Sequence, residues 1–294
     1  MITRQKIWVT GANGQLGMSL RRLSQQLQQY EWLFTSHEEL SITQEDQIAR
    51  YVKTHSPQYC INAAAYTAVD LAESEREKAK LINGIAVADL ACVCAAHEVG
   101  LFHISTDYVF EGTGKLPYRE DDAVSPVNWY GQTKLEGEKN ALENHPGAIV
   151  IRSSWVYSEY GKNFVKTMLS LMRQRESVGV VADQQGSSTY AMDLAAAIMQ
   201  IIGQHKAIGL NGSSRIFHYC DEGLLSWFEF ALAIKEITGS ACRVMPILTS
   251  DYPTPAKRPA WSALDTSKIR EVYGITIPAW RDSLVKCLAQ LNGA

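Results

Sequence analysis

Nowhere in these 294 residues do roughly 18 apolar residues follow one another unbroken, the length that a membrane-spanning helix needs. The apolar run inside the opening MITRQKIWVTGANGQLG is too short for a secretory signal. Neither sign of charge dominates. Lys and Arg number 28 against 31 Asp and Glu, and a net charge of −3 gives no electrostatic case for nucleic acid or an anionic membrane. No C-x-x-C pair is present. The six cysteines are scattered, and the two close ones, Cys92 and Cys94, point apart on a helix. Reduced core thiols therefore fit better than disulfides or a zinc site. Internal repeats and low-complexity tracts are missing as well. These absences leave a soluble, cytoplasmic protein without a nucleic-acid or membrane partner as the expectation. Apolar residues make up 46% of the chain and charged ones 20%, which is enough to bury a full core.

What is there is a rhythm. KIWVTG, EWLFTS, YCINAAA, LFHISTDYVF and AIVIRSSWVY read as strands. Between them lie helical patterns: QLGMSLRRLSQQLQQ, TQEDQIARYVKTH with Thr43 as its N-cap, a long stretch from about Asp70 to Glu98, and a helix carrying YGQTKLEGEK. Strand-helix alternation predicts an α/β fold, a Rossmann-type doubly wound parallel sheet. The strands are continuously apolar, as burial on both faces requires. Beyond about residue 155 the rhythm loosens, with helices expected near 162–174, 190–204, 226–238 and 280–291. TSDYPTPAKRPAWSALD holds three of the nine prolines and predicts irregular chain. Residues 1–155, joined by about 175–200, form the expected nucleotide-binding domain; residues 156–294 form a smaller mixed α/β region for substrate.

VTGANGQLG sets Gly11, Gly14 and Gly17 between the first strand and the first helix. A dinucleotide needs a tight turn there, a bare backbone beside its pyrophosphate, and a helix N-terminus facing the anion. NADPH or NADH is the expected cofactor. The end of the second strand offers Thr35, Ser36 and His37 before any acid, which favours NADPH. With that loop in place, Tyr130 and Lys134, one helical turn apart, become a candidate proton-transfer pair rather than a solvated helix face. A free phenol is a reluctant acid near neutrality, and a nearby ammonium is expected to draw its pKa down.

The Tyr130/Lys134 pair, with Thr106 at the end of the fourth strand, resembles the active site of the short-chain dehydrogenase/reductase superfamily. GANGQLG, INAAAYTAVDLAE, STDYVFEG, YGQTKLEGE, RSSWVY, GKNFVKTML, VVADQQGSSTYAMDLA and RPAWSALD together look like the dTDP-4-dehydrorhamnose reductases, in order and through nearly the whole chain. The resemblance implies reduction of the C4 ketone of a dTDP-linked 4-dehydro-6-deoxy sugar, with Tyr130 as proton donor, Thr106 holding the carbonyl oxygen and Lys134 holding the nicotinamide ribose. It implies cofactor contacts from Gly11, Asn13, Gly14, Gln15, Leu16, Ile42, Asn62, Ala63, Ala64, Ala65, Tyr66 and Asn83. It implies substrate contacts from Thr106, Asp107, Tyr108, Trp155, Asn163, Gln184, Lys257 and Arg258. Mg2+ is admitted by the family, although no metal motif is seen, and so is a homodimer.

Three positions depart from the family pattern: Ser41 where an acid is usual, Ser188 where proline is usual, and Trp261 where asparagine is usual. They bear on substrate identity more than on reaction type. Alternatives are another sugar-nucleotide reductase or epimerase, a 4,6-dehydratase, and a non-catalytic NADP-binding subunit like the beta subunit of methionine adenosyltransferase. The dehydratase is disfavoured because Tyr108 stands where that enzyme has Glu after Thr-Asp.

Overall fold

A computed structural model describes residues 4–204 and 215–292. Its first half contains five strands, β1 (Gln5–Thr10), β2 (Tyr30–Thr35), β3 (Tyr59–Asn62), β4 (Gly100–Thr106) and β5 (Ile149–Ser153). They lie in the order β5-β4-β3-β1-β2, every pair parallel, and a sixth strand, Ile216–His218, extends the sheet beyond β5. The chain leaves β1 in both directions, so a crevice opens where β1 and β3 end side by side. Open α/β sheets bind ligands at such a switch point. The register there sets Thr10 opposite Asn62.

Both faces of the sheet are buried, which explains the unbroken apolar strands. Ile7, Val9 and Ile61 face one core; Trp8, Cys60 and Leu101 face the other. Helices α1 (Gln15–Ser24) and Ala191–Gln204 cover the first face. Helices α2 (Glu45–His55), α5 (Ala86–Ala96) and α6 (Trp129–Asn144) cover the second. A third core gathers Tyr157, Val165, Phe230 and Leu284 under helices Phe164–Gln174, Trp227–Thr238 and Trp280–Asn292. Removing each such side chain from water contributes about 1.5–3 kcal/mol.

Two local expectations are corrected. Helix α2 starts at Glu45 with Gln44 at its N-cap and no side-chain cap, because the Thr43 hydroxyl pairs with Ser41 Oγ at 2.9 Å instead. The stretch from Asp70 to Glu98 is not one helix. It divides into α3 (Val69–Ala72), α4 (Arg76–Lys80), a π-helical turn at Leu81–Ile85, and α5. The sixth strand and a helix at Ser267–Tyr273 carry too little periodicity to be read from sequence alone. The continuous helical rod Arg76–Ala96 is long and apolar enough to cross a membrane, yet half of it is buried against the sheet and α6, as in a core helix.

Candidate active site

The glycine loop is shaped by close backbone approach. Gly11 has φ +64, where a side chain is strained, and a Cβ there would come within 2.7–2.8 Å of the Ala63 and Ala64 backbone. Its carbonyl accepts the Gly14 N–H at 2.9 Å, closing the turn. Helix α1 then begins with no side-chain cap and no acid in its first turn. Its leading N–H groups and positive dipole end are left for an anion, which fits a dinucleotide's pyrophosphate.

The named cofactor residues divide around this loop. Asn13 is exposed at the turn, whereas Leu16 and Ile42 are buried in the two cores flanking the sheet. Gln15 is tied to the back half: its Nε2 donates to Val156 O, and its Oε1 accepts from Ser158 and Asn163. Asn62 bonds Thr10 Oγ1 at 2.8 Å and lies 3.1 Å from His103 Nδ1, pinning the ends of β1, β3 and β4 together. Ala63, Ala64 and Ala65 follow as a small, half-buried ledge. Asn83 lies inside the π-helical turn. It accepts from Tyr66 N and donates to Tyr66 O and Thr133 Oγ1, bracing the chain after β3 against α6. π-turns of this kind recur at functional sites.

Helix α6 is capped by Asn128, whose Oδ1 accepts the Gly131 N–H and whose Nδ2 donates to Lys257 O. The cap starts the helix so that Tyr130 falls in its first turn and Lys134 one turn on, both on the inward face, 9% and 2% exposed. Lys134 Nζ donates to Ile104 O at 2.6 Å. Burial draws this ammonium down to about 8, against the raising influence of Glu138, so it is still mostly cationic at pH 7.

The expectation that Lys134 lowers the Tyr130 pKa is not met. Burial pushes the phenol well above its usual value, Asp107 pushes it further, and only a hydrogen-bonding interaction with Thr106 pulls it back. The ring therefore stays a neutral phenol, and its proton moves only once a more basic alkoxide forms beside it.

Thr106 ends β4. Its hydroxyl donates to Asp107 Oδ1 at 2.9 Å and accepts the Tyr108 N–H at 3.2 Å. Asp107 Oδ2 is buried without a hydrogen-bond partner, and burial, against the opposing Thr106 hydrogen bond, raises this carboxyl to about 7. Tyr108 stands edge-to-face against Tyr130, ring centroids 5.5 Å apart. Thr106, Asp107, Tyr108, Tyr130 and Lys134 are thus brought together.

Two of the remaining substrate residues belong to a cavity of about 630 Å³. Gln184 and Arg258 line it, with Phe164, Trp227 and Tyr252 as aromatic walls. Trp155 supports it from behind, stacked 3.6 Å from Trp227, in a left-handed backbone conformation of φ +46. Gln184 Nε2 donates to Thr249 Oγ1. Lys257 is exposed. Arg258 forms a two-point ion pair with Asp70, both contacts 2.9 Å. Asn163 is not at the cavity. It caps the helix Phe164–Gln174 and gives its amide to Gln15 Oε1 and the Ser158 and Tyr160 carbonyls. Among the three departures, Trp261 donates its indole N–H to Leu116 O at 2.9 Å, and Ser188 is buried with its hydroxyl unpartnered.

The model of one protein family, the RmlD substrate binding domain, matches residues 5–292. This chain belongs to that family. The dTDP-4-dehydrorhamnose reductase of Aggregatibacter actinomycetemcomitans is 41% identical to this family member, over 95% of this chain and 97% of its own. A solved structure of dTDP-4-dehydrorhamnose reductase from Bacillus anthracis, in complex with NADP, superposes with a TM-score of 0.92 at 35% identity, covering 98% of this chain and 100% of that one. UDP-glucose 4-epimerase of Brucella ovis, 17% identical over 98% of each chain with a TM-score of 0.83, shares the fold alone.

Sequence reading missed two members of this RmlD-family site. Asn128, two residues ahead of Tyr130, has the residue type of an N-cap, a signal open to reading. Asp70 has no such signal, since its partner lies 188 residues away.

Proposed function

We propose that the protein reduces the C4 ketone of dTDP-4-dehydrorhamnose to give dTDP-L-rhamnose, taking hydride from NADPH or NADH. One observation carries this reading: a buried phenol, Tyr130, sits one helical turn from the Lys134 ammonium and beside Thr106. The bound nicotinamide supplies hydride to C4. Tyr130 gives its proton to the oxygen as negative charge develops there, which is when that proton stabilises the transition state most. Lys134 holds the ribose while anchored to Ile104 O. Thr106 fixes the carbonyl oxygen. Its only hydrogen is given to Asp107, so donation to substrate means leaving that carboxyl. A neutral Asp107 is a weaker acceptor and releases it more readily.

The front of the chain, 1–155 with about 175–200, holds the cofactor, and the remainder mainly holds the sugar nucleotide. NADPH is the preferred cofactor in this reading. The end of β2 presents Ser36 and His37 where a ribose carboxylate would stand, and Glu39 Oε2 accepts the Ser36 N–H at 2.8 Å. Among the described residues no group of three or more His, Cys, Asp or Glu side chains is placed to hold a metal ion, and no step is assigned to Mg2+. The dTDP moiety belongs in the aromatic-walled cavity, its diphosphate at Arg258.

The test is cofactor oxidation followed by absorbance, with dTDP-4-dehydrorhamnose set against UDP- and GDP-linked 4-keto sugars. Turnover confined to the dTDP sugar, faster with NADPH, is expected. Binding of NADPH without turnover of any of these sugars would replace the reading with a non-catalytic role.

A further inference from the structure

We propose that Asp70 is a positioning residue for the diphosphate of the substrate, acting through Arg258. The proposal rests on the reading of the aromatic-walled cavity as the nucleotide site. Asp70 lies in AYTAVDLAE, on α3 just beyond β3, while Arg258 comes from the proline-rich loop at the other end of the chain. Their two-point contact joins the front of the chain to the back beside the cavity that Arg258 lines.

The atoms used decide what is left over. Asp70 Oδ1 takes an N–H of Nη1 and Oδ2 one of Nη2, each at 2.9 Å, while Oδ1 also accepts the Ala256 N–H at 3.2 Å. A second Nη1 hydrogen goes to Ala256 O at 3.3 Å. Asp70 therefore grips the end of the guanidinium and its supporting loop together. The side edge remains, made of Nε–H and the other Nη2–H, and among the described residues neither has an acceptor. Two parallel N–H donors on one edge match two oxygens of a phosphate. Arg258 lines the cavity and is near enough to Tyr108 to bear on its phenol, so the guanidinium lies between the nucleotide cavity and the Tyr130 site. That is where the diphosphate linking base and sugar has to pass.

A like charge beside a diphosphate would by itself weaken binding. Asp70 does not act as a bare charge, because its two oxygens are taken by Arg258 and the Ala256 amide. An unanchored arginine would sample many rotamers and bind less well, so fixing it favours the ligand through preorganisation.

The experiment measures dTDP binding by calorimetry and steady-state kinetics for wild type, Asp70→Asn, Arg258→Ala and the double variant, with NADPH affinity as a second readout. For Asp70→Asn, dTDP affinity is expected to fall about tenfold and KM for the dTDP sugar to rise by a similar factor, within the range for residues that orient a ligand-binding group. Its kcat and NADPH affinity should stay within about twofold. In the double variant, Asp70→Asn should add nothing to Arg258→Ala, the signature of action through one partner. Unchanged or tighter dTDP binding in Asp70→Asn, with Arg258→Ala weakened, would overturn the positioning role and keep the nucleotide site. Unchanged dTDP binding in Arg258→Ala would remove the nucleotide site itself. Joint loss of dTDP and NADPH binding in Asp70→Asn would make Asp70 a merely structural residue and overturn the proposal.

Discussion

Tyr130 and Asp107 form the part of the site where single side chains decide the chemistry. The phenol is held neutral by burial, so it can serve as a proton donor across the neutral range. Tyr130→Phe keeps the ring and removes the hydrogen. It should lower kcat roughly 10²–10³-fold, in the range for losing one transition-state donor, while NADPH affinity measured by fluorescence titration stays unchanged. Asp107 adds a pH dependence. Its carboxyl is raised in the fold to about 7, so between about 4 and 7 the folded state holds the proton longer than the unfolded chain. Wild-type stability should therefore fall as pH rises through that window, by up to about 4 kcal/mol. Asp107→Asn should lack that fall in urea unfolding. The variant should also lose the alkaline limb near pH 7 that ionised Asp107, by keeping the Thr106 hydrogen, would impose on kcat. A limb that survives the substitution would take Asp107 out of this role.

Helix α6 and the π-turn beside it form a unit in which backbone fit matters more than any side chain. Gly137, one turn beyond Lys134, packs directly on the Asn83 carbonyl, and a Cβ there would collide with that oxygen and crowd the His103 ring. Gly137→Ala should push α6 off the turn, carrying Tyr130 and Lys134 with it. A loss of about 1–3 kcal/mol of stability, as in overpacked cores, and a disproportionate loss of kcat are expected from chemical unfolding and steady-state assays. The same unit explains where helix reading falls short. REKAKLINGIAVADLACVCAA has the composition of one helix, yet Asn83 turns its amide to Tyr66 and Thr133, and the chain widens to five π residues there. Nothing in the local pattern announces those partners, since Tyr66 and Thr133 lie 17 and 50 residues away.

At the scale of the whole molecule, the catalytic helix is joined to the sheet by a buried ion pair. Arg152 on β5 meets Glu138 on α6 through two contacts of 2.9 and 2.8 Å, with side chains 3% and 2% exposed. Phe110 lies under the guanidinium, and His218, from the sixth strand, lies 3.5 Å away. Burial first, then Arg152, keep that imidazole neutral, down to about 3. Arg152→Met should cost about 3–5 kcal/mol in urea unfolding, because it strands a buried carboxylate. Adding Glu138→Leu should recover most of the loss, since replacing a whole buried pair with apolar side chains is far milder than breaking it. A double variant no more stable than the single one would show that the pair holds α6 by geometry rather than by compensating charge.

The order of strands and helices in the front half, the glycine turn and the Tyr130/Lys134 spacing were all legible in the sequence. Each is fixed by local rules: period of apolar residues, freedom of glycine, rise of a helical turn. Tertiary structure alone decided the rest. It widened the helix at Asn83, freed Thr43 from its cap, extended the sheet with residues 216–218, and turned Asn163 to Gln15 while turning Arg258 to Asp70. It also reversed the expected pKa of Tyr130, which burial and then Asp107 raise. Partners remote in sequence and the low dielectric of a packed interior come into being only when the chain closes on itself, so no local pattern records them.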